Sequence, residues 1–539
     1  MSLAMIMDGA GEPIDRPGTG RSRAAVLAAL GSHMALSAAI YWPTLHLAFV
    51  SETWTYLARL RVGIWPTLTT SIGYNYQPVA IAWIALIRAC FGENAAAFQA
   101  VNIAQVGLLG HLTYQLGRRL LPDARSAWLG GLLVIGNAAF YEASYWPLAG
   151  NMHLLGAILY VLAVIVSCDA ARGRFGAGGS WLLALIVLAA IFTHPAMVTA
   201  VPVCALTLFL AGGRLEERPA DALARKLKML LPLVGVVVLF GISRLVFATA
   251  IASGPQPGLD SMRAYWLVSR GLVAVFSLRG SHDVVHGLMT FGTNVGFDTV
   301  QVWVFVAGWL VVAGAAAAIC LWRARTPGLR VLIAFLAIHL VAVAIASAMS
   351  SRESHVPAVP AALLTAWALH IAAGRLAARV STAQSRLVCR QLPAVGILLL
   401  IAWAQRDHAT SAEVHIRAAN LSRTLVELVK VQSPPGFGPL DLTLINMPAY
   451  TIERGIGAIT FANGLEALAR IAAPGLASIQ LVRIPIPSAP ADFANRTVPI
   501  ELEALRAQVL DPSRVVVLFE KPTTLTALSP EILDRLASR

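Results

Sequence analysis

The sequence predicts an all-α polytopic membrane protein carrying a small α/β unit at its carboxy-terminal end. Three observations lead there. The 539 residues are 57% hydrophobic and only 13% charged, with a mean hydropathy of +0.69, far more apolar side chain than a soluble chain of this length would carry. The apolar residues fall into long runs separated by short loops, and arginine is concentrated in alternate loops. From about residue 406 the pattern changes to short β-branched runs separated by amphipathic stretches.

The first residues, 1–23, are polar and rich in Gly and Pro, and read as a disordered cytoplasmic tail. Residues 24–405 form the membrane region. At roughly 17–25 apolar residues per crossing, about eleven spans fit. They are predicted at 24–50, 97–117, 126–145, 150–170, 179–194, 196–212, 229–252, 300–322, 331–349, 356–374 and 387–405. The apolar stretch 78–92 is too short to cross and reads as an interfacial or re-entrant helix.

Loop charge sets the orientation. Arg118, Arg119 and Arg125, then Arg172 and Arg174, then Arg214 to Lys228, Arg323 to Arg330, and Arg375 to Arg390 occupy alternate loops. Those loops, and the amino terminus, are expected in the cytoplasm. The loops 51–96, 142–150, 194–195, 253–299 and 350–355 then face outward, and so does the carboxy-terminal region 406–539. The high Ala and Arg content suggests GC-rich bacterial coding, and hence the inner (plasma) membrane of a bacterium.

In 406–539 the strands are expected at 442–446, 477–484 and 514–519, the helices at 463–471 and 498–509, in β-α-β-α-β order. An amphipathic helix at about 411–432, with Val414, Leu421, Leu425 and Leu428 on one face, precedes them. The five cysteines show neither disulfide nor metal spacing, so no zinc site or cystine framework is expected. The net charge of +13 is spread through topology-setting loops rather than gathered in a patch, which argues against a nucleic-acid partner.

The outward loops hold the candidate chemistry. The first, 51–96, carries Ser51-Glu52-Thr53 where the first span ends, then Arg59, Arg61 and Tyr74-Asn75-Tyr76-Gln77-Pro78. Glu142 and His153 flank the next exit, and His194 sits in a hairpin between two spans. Arg263, Arg270 and Arg279 lie in the long loop, and Ser351-Arg352-Glu353-Ser354-His355 follows the ninth predicted span. Outward loops are normally poor in arginine, and a bound phosphate accounts for the excess, because guanidinium presents a charge and a fork of donors. A carboxylate beside an outward phosphate site suits transfer of a sugar from a polyprenyl phosphate. The carboxylate removes the acceptor hydroxyl proton while cations stabilise the departing phosphate.

Tyr76-Gln77-Pro78, Phe91-Gly92-Glu93-Asn94, Phe98, Asn102, His111 and Arg118-Arg119, following Glu52 in this order, resemble the amino-terminal half of GT-C glycosyltransferases. The pattern is most similar to the protein O-mannosyltransferase and tetratricopeptide-linked mannosyltransferase-like members. Arg352 to Val359 is similar to a later Arg-Tyr-x-Tyr-x-Pro-Ser-Val segment of that family. The likeness covers residues 30–375. It implies a GT-C-like fold and an enzyme whose donor is a polyprenyl-phosphate-linked sugar, whose surroundings are membrane lipids, and whose acceptor is a glycan, lipid or protein. It implies Glu52 and Glu142 as catalytic carboxylates and Arg352, His355, His194 and Arg263 as substrate ligands, to which the outward polar set adds Tyr74, Gln77 and Arg59. No cofactor is expected, and a divalent metal is left open. Two departures stand out. Gln77 replaces the Arg of a Tyr-Arg-Pro element, and Glu52 lacks the acidic neighbour usual at this exit. The missing acid leaves a second reading, a non-catalytic scaffold that binds lipid or a partner. A transporter is a third, disfavoured by the absence of a symmetric repeat.

Overall fold

The computed structural model of the chain describes residues 20–70, 76–175, 178–211, 219–247, 276, 327–345, 355–432, 440–453, 456–461, 463–486, 489–490, 493–494, 497–520 and 524–537. The helices are α1 (Gly20–Tyr41), α2 (Thr53–Val62), α3 (Ile64–Leu68), α4 (Pro78–Phe91), α5 (Ala95–Leu120), α6 (Ala124–Ile135), α7 (Tyr141–Tyr145), α8 (Ala149–Ala171), α9 (Gly178–Ile191), α10 (Ala200–Leu210), α11 (Pro219–Phe247), α12 (Pro327–Ile345), α13 (His355–Arg379) and α14 (Ala383–Gln432). Among the described residues, six helices are long and apolar enough to cross a membrane: those starting at Arg23, Ala95, Ala149, Leu223, His355 and Ala383.

Burial separates the centre from the periphery. In α8, 83% of the most apolar window is buried, against 17% in α11. The outward-facing Leu231 and Leu245 of α11 and Leu398, Leu399 and Trp403 of α14 are exposed apolar side chains with lipid as their natural solvent. Helices at the centre approach closely through small residues, as expected where lipid removes the hydrophobic drive for association. Gly110 of α5 faces Gly131 of α6 so tightly that a Cβ on Gly131 would lie 2.6 Å from Gly110 O and 2.4 Å from His33 Nε2.

Two predicted spans are corrected. The run 126–145 is not one helix. α6 stops at Ile135, a short 3-10 turn spans Ala138–Phe140, and α7 follows. The break is local: Asn137 Oδ1 accepts the Ala139 backbone N–H at 2.8 Å, offering the chain an alternative to the helical bond. The expected boundary at 405/406 and separate helix at 411–432 give way to α14, which continues unbroken from Ala383 to Gln432. Its membrane-end residues and its buried Val414, Leu421, Leu425 and Val429 share one rigid rod, with Val429 rather than Leu428 on the buried face. The short stretch 78–92 is, as expected, a short helix, α4, with Pro78 at its start. The predicted span 300–322 and the loop 253–299 lie outside the described residues, Phe276 excepted.

One end of the bundle is basic and knitted by ion pairs. Arg119 grips Asp169 with two nitrogens at 2.8–3.0 Å, Arg174 joins at 3.1 Å, and Arg172 donates to Arg119 O. Asp123 caps α6 through the Ser126 backbone N–H at 2.7 Å and lies 3.4 Å from His370. Several of the arginine-bearing loops singled out by composition therefore meet at this end.

At the opposite end sits the α/β unit. Its five-stranded sheet is made of β1 (Leu440–Ile445), β4 (Leu476–Arg483), β5 (Val498–Pro499), β6 (Arg514–Glu520) and β7 (Thr524–Ala527). The order is β5-β4-β1-β6-β7, parallel except for β7, and a hairpin of β2 (Tyr450–Glu453) and β3 (Ile456–Ile459) leaves β1. α15 (Leu465–Ala472) and the end of α14 cover one face through Leu421, Leu425, Leu442, Leu444 and Leu468. α16 (Leu502–Leu510) and α17 (Pro530–Ala537) cover the other through Leu505 and Leu533. Strands buried on both faces read as continuous β-branched runs, which is why they were legible.

Candidate active site

The site is built around the turn between the first helix and α2. Ser51 adopts φ +51°, in the left-handed region that costs a non-glycine residue energy. Glu52 follows as the half-buried N-cap residue of α2, where a carboxylate is favoured by the helix dipole. Thr53 is fully buried.

Contacts from two directions hold this turn. From the α/β unit, Thr460 O accepts the Ser51 backbone N–H at 3.0 Å. Gly464, at φ +78°, lies so close that a Cβ there would be 2.3 Å from Ser51 O. Ser422 of α14 accepts from Trp54 Nε1 at 3.2 Å. From the bundle, Trp146 Nε1 donates to Thr53 Oγ1 at 2.9 Å. Phe49 packs edge-on against both Trp54 and Phe98. Aromatics near a helix exit read in sequence as interface anchors. Trp65, 72% exposed, fits that, whereas Trp146, 3% exposed, is a structural strut.

Behind Trp146 lies a set of buried amides that sequence reasoning passed over as candidates. Gln99, Asn102 and Gln105 recur every three residues on one face of α5. Gln99 Nε2 donates to Ser144 O and Thr44 Oγ1, both at 2.7 Å. Asn102 Nδ2 donates to Trp146 O at 3.0 Å, and Gln105 Nε2 to Asn151 O at 3.3 Å. Asn151 answers from α8, donating to Phe98 O at 2.9 Å and Pro147 O at 2.6 Å. The bonds to Ser144 O, Trp146 O and Pro147 O satisfy carbonyls exposed where α7 gives way to α8. The spacing of three amides in an apolar helix was the available signal.

A third group joins residues distant in sequence. His194, the N-cap of a 3-10 turn (Pro195–Thr199), places its ring 4.5 Å from that of His153 on α8. His355, buried at the start of α13, approaches the same His153 ring edge-on at 5.7 Å. Two predicted ligands thus meet, and His153, noted in sequence only as flanking an exit, is their hub. The rings pack against each other, and among the described residues no group of three or more His, Cys, Asp or Glu is placed to hold a metal ion.

The rest of the first outer loop folds over α4. Glu93 accepts from Arg61 at 2.6 and 3.0 Å and from Arg88 Nε at 3.1 Å. The Arg61 hydrogen bond leads the causes that hold its carboxyl below the usual range. Arg88 and Glu93 line an open cleft of 490 Å³ with Leu60, Ile64, Ala85, Ala89 and Gly92. Arg59 is close to Thr70, with Nη1 to Oγ1 at 3.4 Å. Gln77 is buried and accepts from Tyr56 Oη at 3.2 Å, so its predicted ligand role coexists with an internal bond. Glu142 lies in α7, with its side chain outside the described residues, and Tyr74, Arg263 and Arg352 lie outside them altogether.

No family model matches the chain, and no curated protein matches it. Among solved structures it is similar to ArnT from Cupriavidus metallidurans bound to undecaprenyl phosphate, at 14% identity and TM-score 0.46, over 96% of this chain and 95% of that one. It is also similar to the archaeal oligosaccharyltransferase AglB from Archaeoglobus fulgidus in complex with an inhibitory peptide and a dolichol-phosphate, at 12% identity and TM-score 0.44. That match covers 79% of this chain and 63% of the archaeal one, so the chain spans less than two thirds of that protein's length.

Proposed function

We propose that the chain is a membrane glycosyltransferase of GT-C type, moving a sugar from a polyprenyl-phosphate donor to an acceptor at the membrane face where the α/β unit lies. That face is the outer one of a bacterial plasma membrane, with the amino terminus in the cytoplasm. Glu52 takes the proton from the acceptor hydroxyl as its oxygen bonds to the anomeric carbon. The bond from that carbon to the phosphate breaks, and the lipid phosphate leaves with the electron pair. Arg352, three residues before the buried His355, meets the departing phosphate, and Glu142 provides a second carboxylate. His194 and His355 are substrate ligands in this reading, with Tyr74, Gln77, Arg59 and Arg263 as further ones.

The observation that carries this reading is the convergence of His194 and His355 on His153 at the end of the bundle that also holds the Glu52 turn. His194 and His355, 161 residues apart in sequence, are brought together there, and a site for one small polar headgroup needs such convergence.

The test uses purified protein in vesicles with a panel of polyprenyl-phosphate sugars. Transfer by the wild type, its loss in Glu52→Gln with donor binding retained, and a raised donor KM in Arg352→Ala are the expected results. Donor binding without transfer by the wild type would overturn catalysis in favour of a lipid-binding scaffold. Unchanged turnover in Glu52→Gln would overturn the role of Glu52.

A further inference from the structure

We infer that the α/β unit sets the conformation of the Glu52 turn through Gly464 and the Thr460 carbonyl, making these positioning residues for the chemistry proposed above. The inference rests on that reading for its link to transfer, but the contact itself can be tested without it. Ser51 lies in the left-handed region, which a serine adopts only where its surroundings over-determine it. What over-determines it comes from a part of the chain about 400 residues away. The Ser51 N–H is bound to Thr460 O at 3.0 Å. The Ser51 carbonyl is seated on Gly464, where a Cβ would lie 2.3 Å from that oxygen and 3.2 Å from Glu52 Cα. Gly464 is itself at φ +78°, so both the backbone sign and the close approach call for glycine.

The contact is braced so that it cannot swing away. Trp54 on α2 is hydrogen-bonded to Ser422, and Arg423 Nη2 reaches His46 O at 3.3 Å, both from α14. α14 is also the helix that runs from the bundle onto the sheet, where Leu421, Leu425 and Val429 lock it against β1 and α15. The sheet, the rod and the turn therefore form one closed loop of contacts, and the carboxylate direction at Glu52 is referenced to the α/β unit rather than to α1 alone. A group whose placement within about an ångström decides the rate is the kind that such a clamp serves.

The experiment compares Gly464→Ala with Gly475→Ala, whose added Cβ would meet nothing within 4 Å. Amide exchange at Ser51 is the first readout and needs no activity. It should be slow in the wild type and in Gly475→Ala and fast in Gly464→Ala. Transfer is the second, with kcat expected to fall by about tenfold or more in Gly464→Ala while donor KM stays within about twofold. The third is rescue. Adding Ser51→Gly lets the turn reach φ > 0 without the clamp, and should restore much of kcat in the Gly464→Ala background, which a mere folding defect of the α/β unit would not allow. Slow exchange at Ser51 in Gly464→Ala, or a fall in kcat that Ser51→Gly leaves untouched, overturns the inference. Neither result depends on Glu52 being the base. Absence of transfer in the wild type would instead defeat the proposed function and leave the exchange measurement standing.

Discussion

Trp146 Nε1 and Thr53 Oγ1 meet at 2.9 Å across 93 residues of chain, both fully enclosed. This bond joins the elbow between α7 and α8 to the residue next to Glu52. Thr53→Val keeps the shape and removes the hydroxyl that accepts the indole N–H, which costs about 0.5–1.5 kcal/mol for a lost hydrogen bond. Trp146→Phe removes the donor with some loss of packing. A double-mutant cycle read by thermal unfolding in detergent should give a coupling of about 0.5–1.5 kcal/mol. Additive effects would mean that the bond contributes nothing.

Glu93 ties the outer loop together, and its pH response has a fixed sign. Arg61, through its hydrogen bond first, depresses the folded-state carboxyl below its value in the unfolded chain. The stabilisation is therefore present above the ordinary carboxylate pKa of about 4.3 and is lost as pH falls through the lower folded value. Amide exchange in 57–63 and 85–93 should be unaffected between neutral pH and about 5 and accelerate below about 4 once corrected for intrinsic rates. Glu93→Gln should show fast exchange already at neutral pH and lose that extra dependence.

Asn102 is the middle amide of the buried row on α5, donating to Gln99 Oε1 at 3.1 Å and Trp146 O at 3.0 Å. Asn102→Leu leaves the Trp146 carbonyl without this donor and should destabilise by about 1–3 kcal/mol. Gly150→Ala attacks the same place sterically, since its Cβ would stand 2.2 Å from Ala143 O. Both variants should lower the unfolding temperature in detergent more than a substitution of an exposed lipid-facing residue such as Leu245.

At the basic end, Asp169 answers Arg119 and Arg174 with its side chain 10% exposed. Asp169→Asn keeps volume but removes the countercharge, and about 1–3 kcal/mol is expected from loss of charge-assisted hydrogen bonds. The measurement is thermal unfolding, with donor KM as the control. A shift in KM larger than the shift in stability would contradict the placement of Asp169 at the end remote from Glu52.

Much of the architecture was readable because it depends on local chemistry. The apolar runs α5, α8 and α13 stood out by length, and β1, β4 and β6 by β-branched content. The interruption at Asn137 was missed because a single side-chain bond to Ala139 N competes with the helix where hydropathy is unbroken. The continuity of α14 was missed because hydropathy falls past residue 405 while nothing in the backbone chemistry ends the helix. At the site, His194 and His355 were nominated from loop composition, but His153 became their meeting point only through packing. The amides of α5 were legible in principle, as polar residues at helical spacing within an apolar segment.

The sequence by itself determined that this is a polytopic membrane protein with a small α/β unit after its apolar runs, and that Glu52 sits where a helix leaves the bundle. Burial of apolar area and backbone periodicity act over a few residues at a time, so composition and pattern report them. Tertiary structure alone decided that Ser51 is held left-handed, that Gly464 and Thr460 hold it, and that Trp146 and His153 join loops separated by tens to hundreds of residues. Those outcomes depend on which surfaces close against one another, and a van der Waals contact or hydrogen bond between distant segments leaves no periodic trace in either of them.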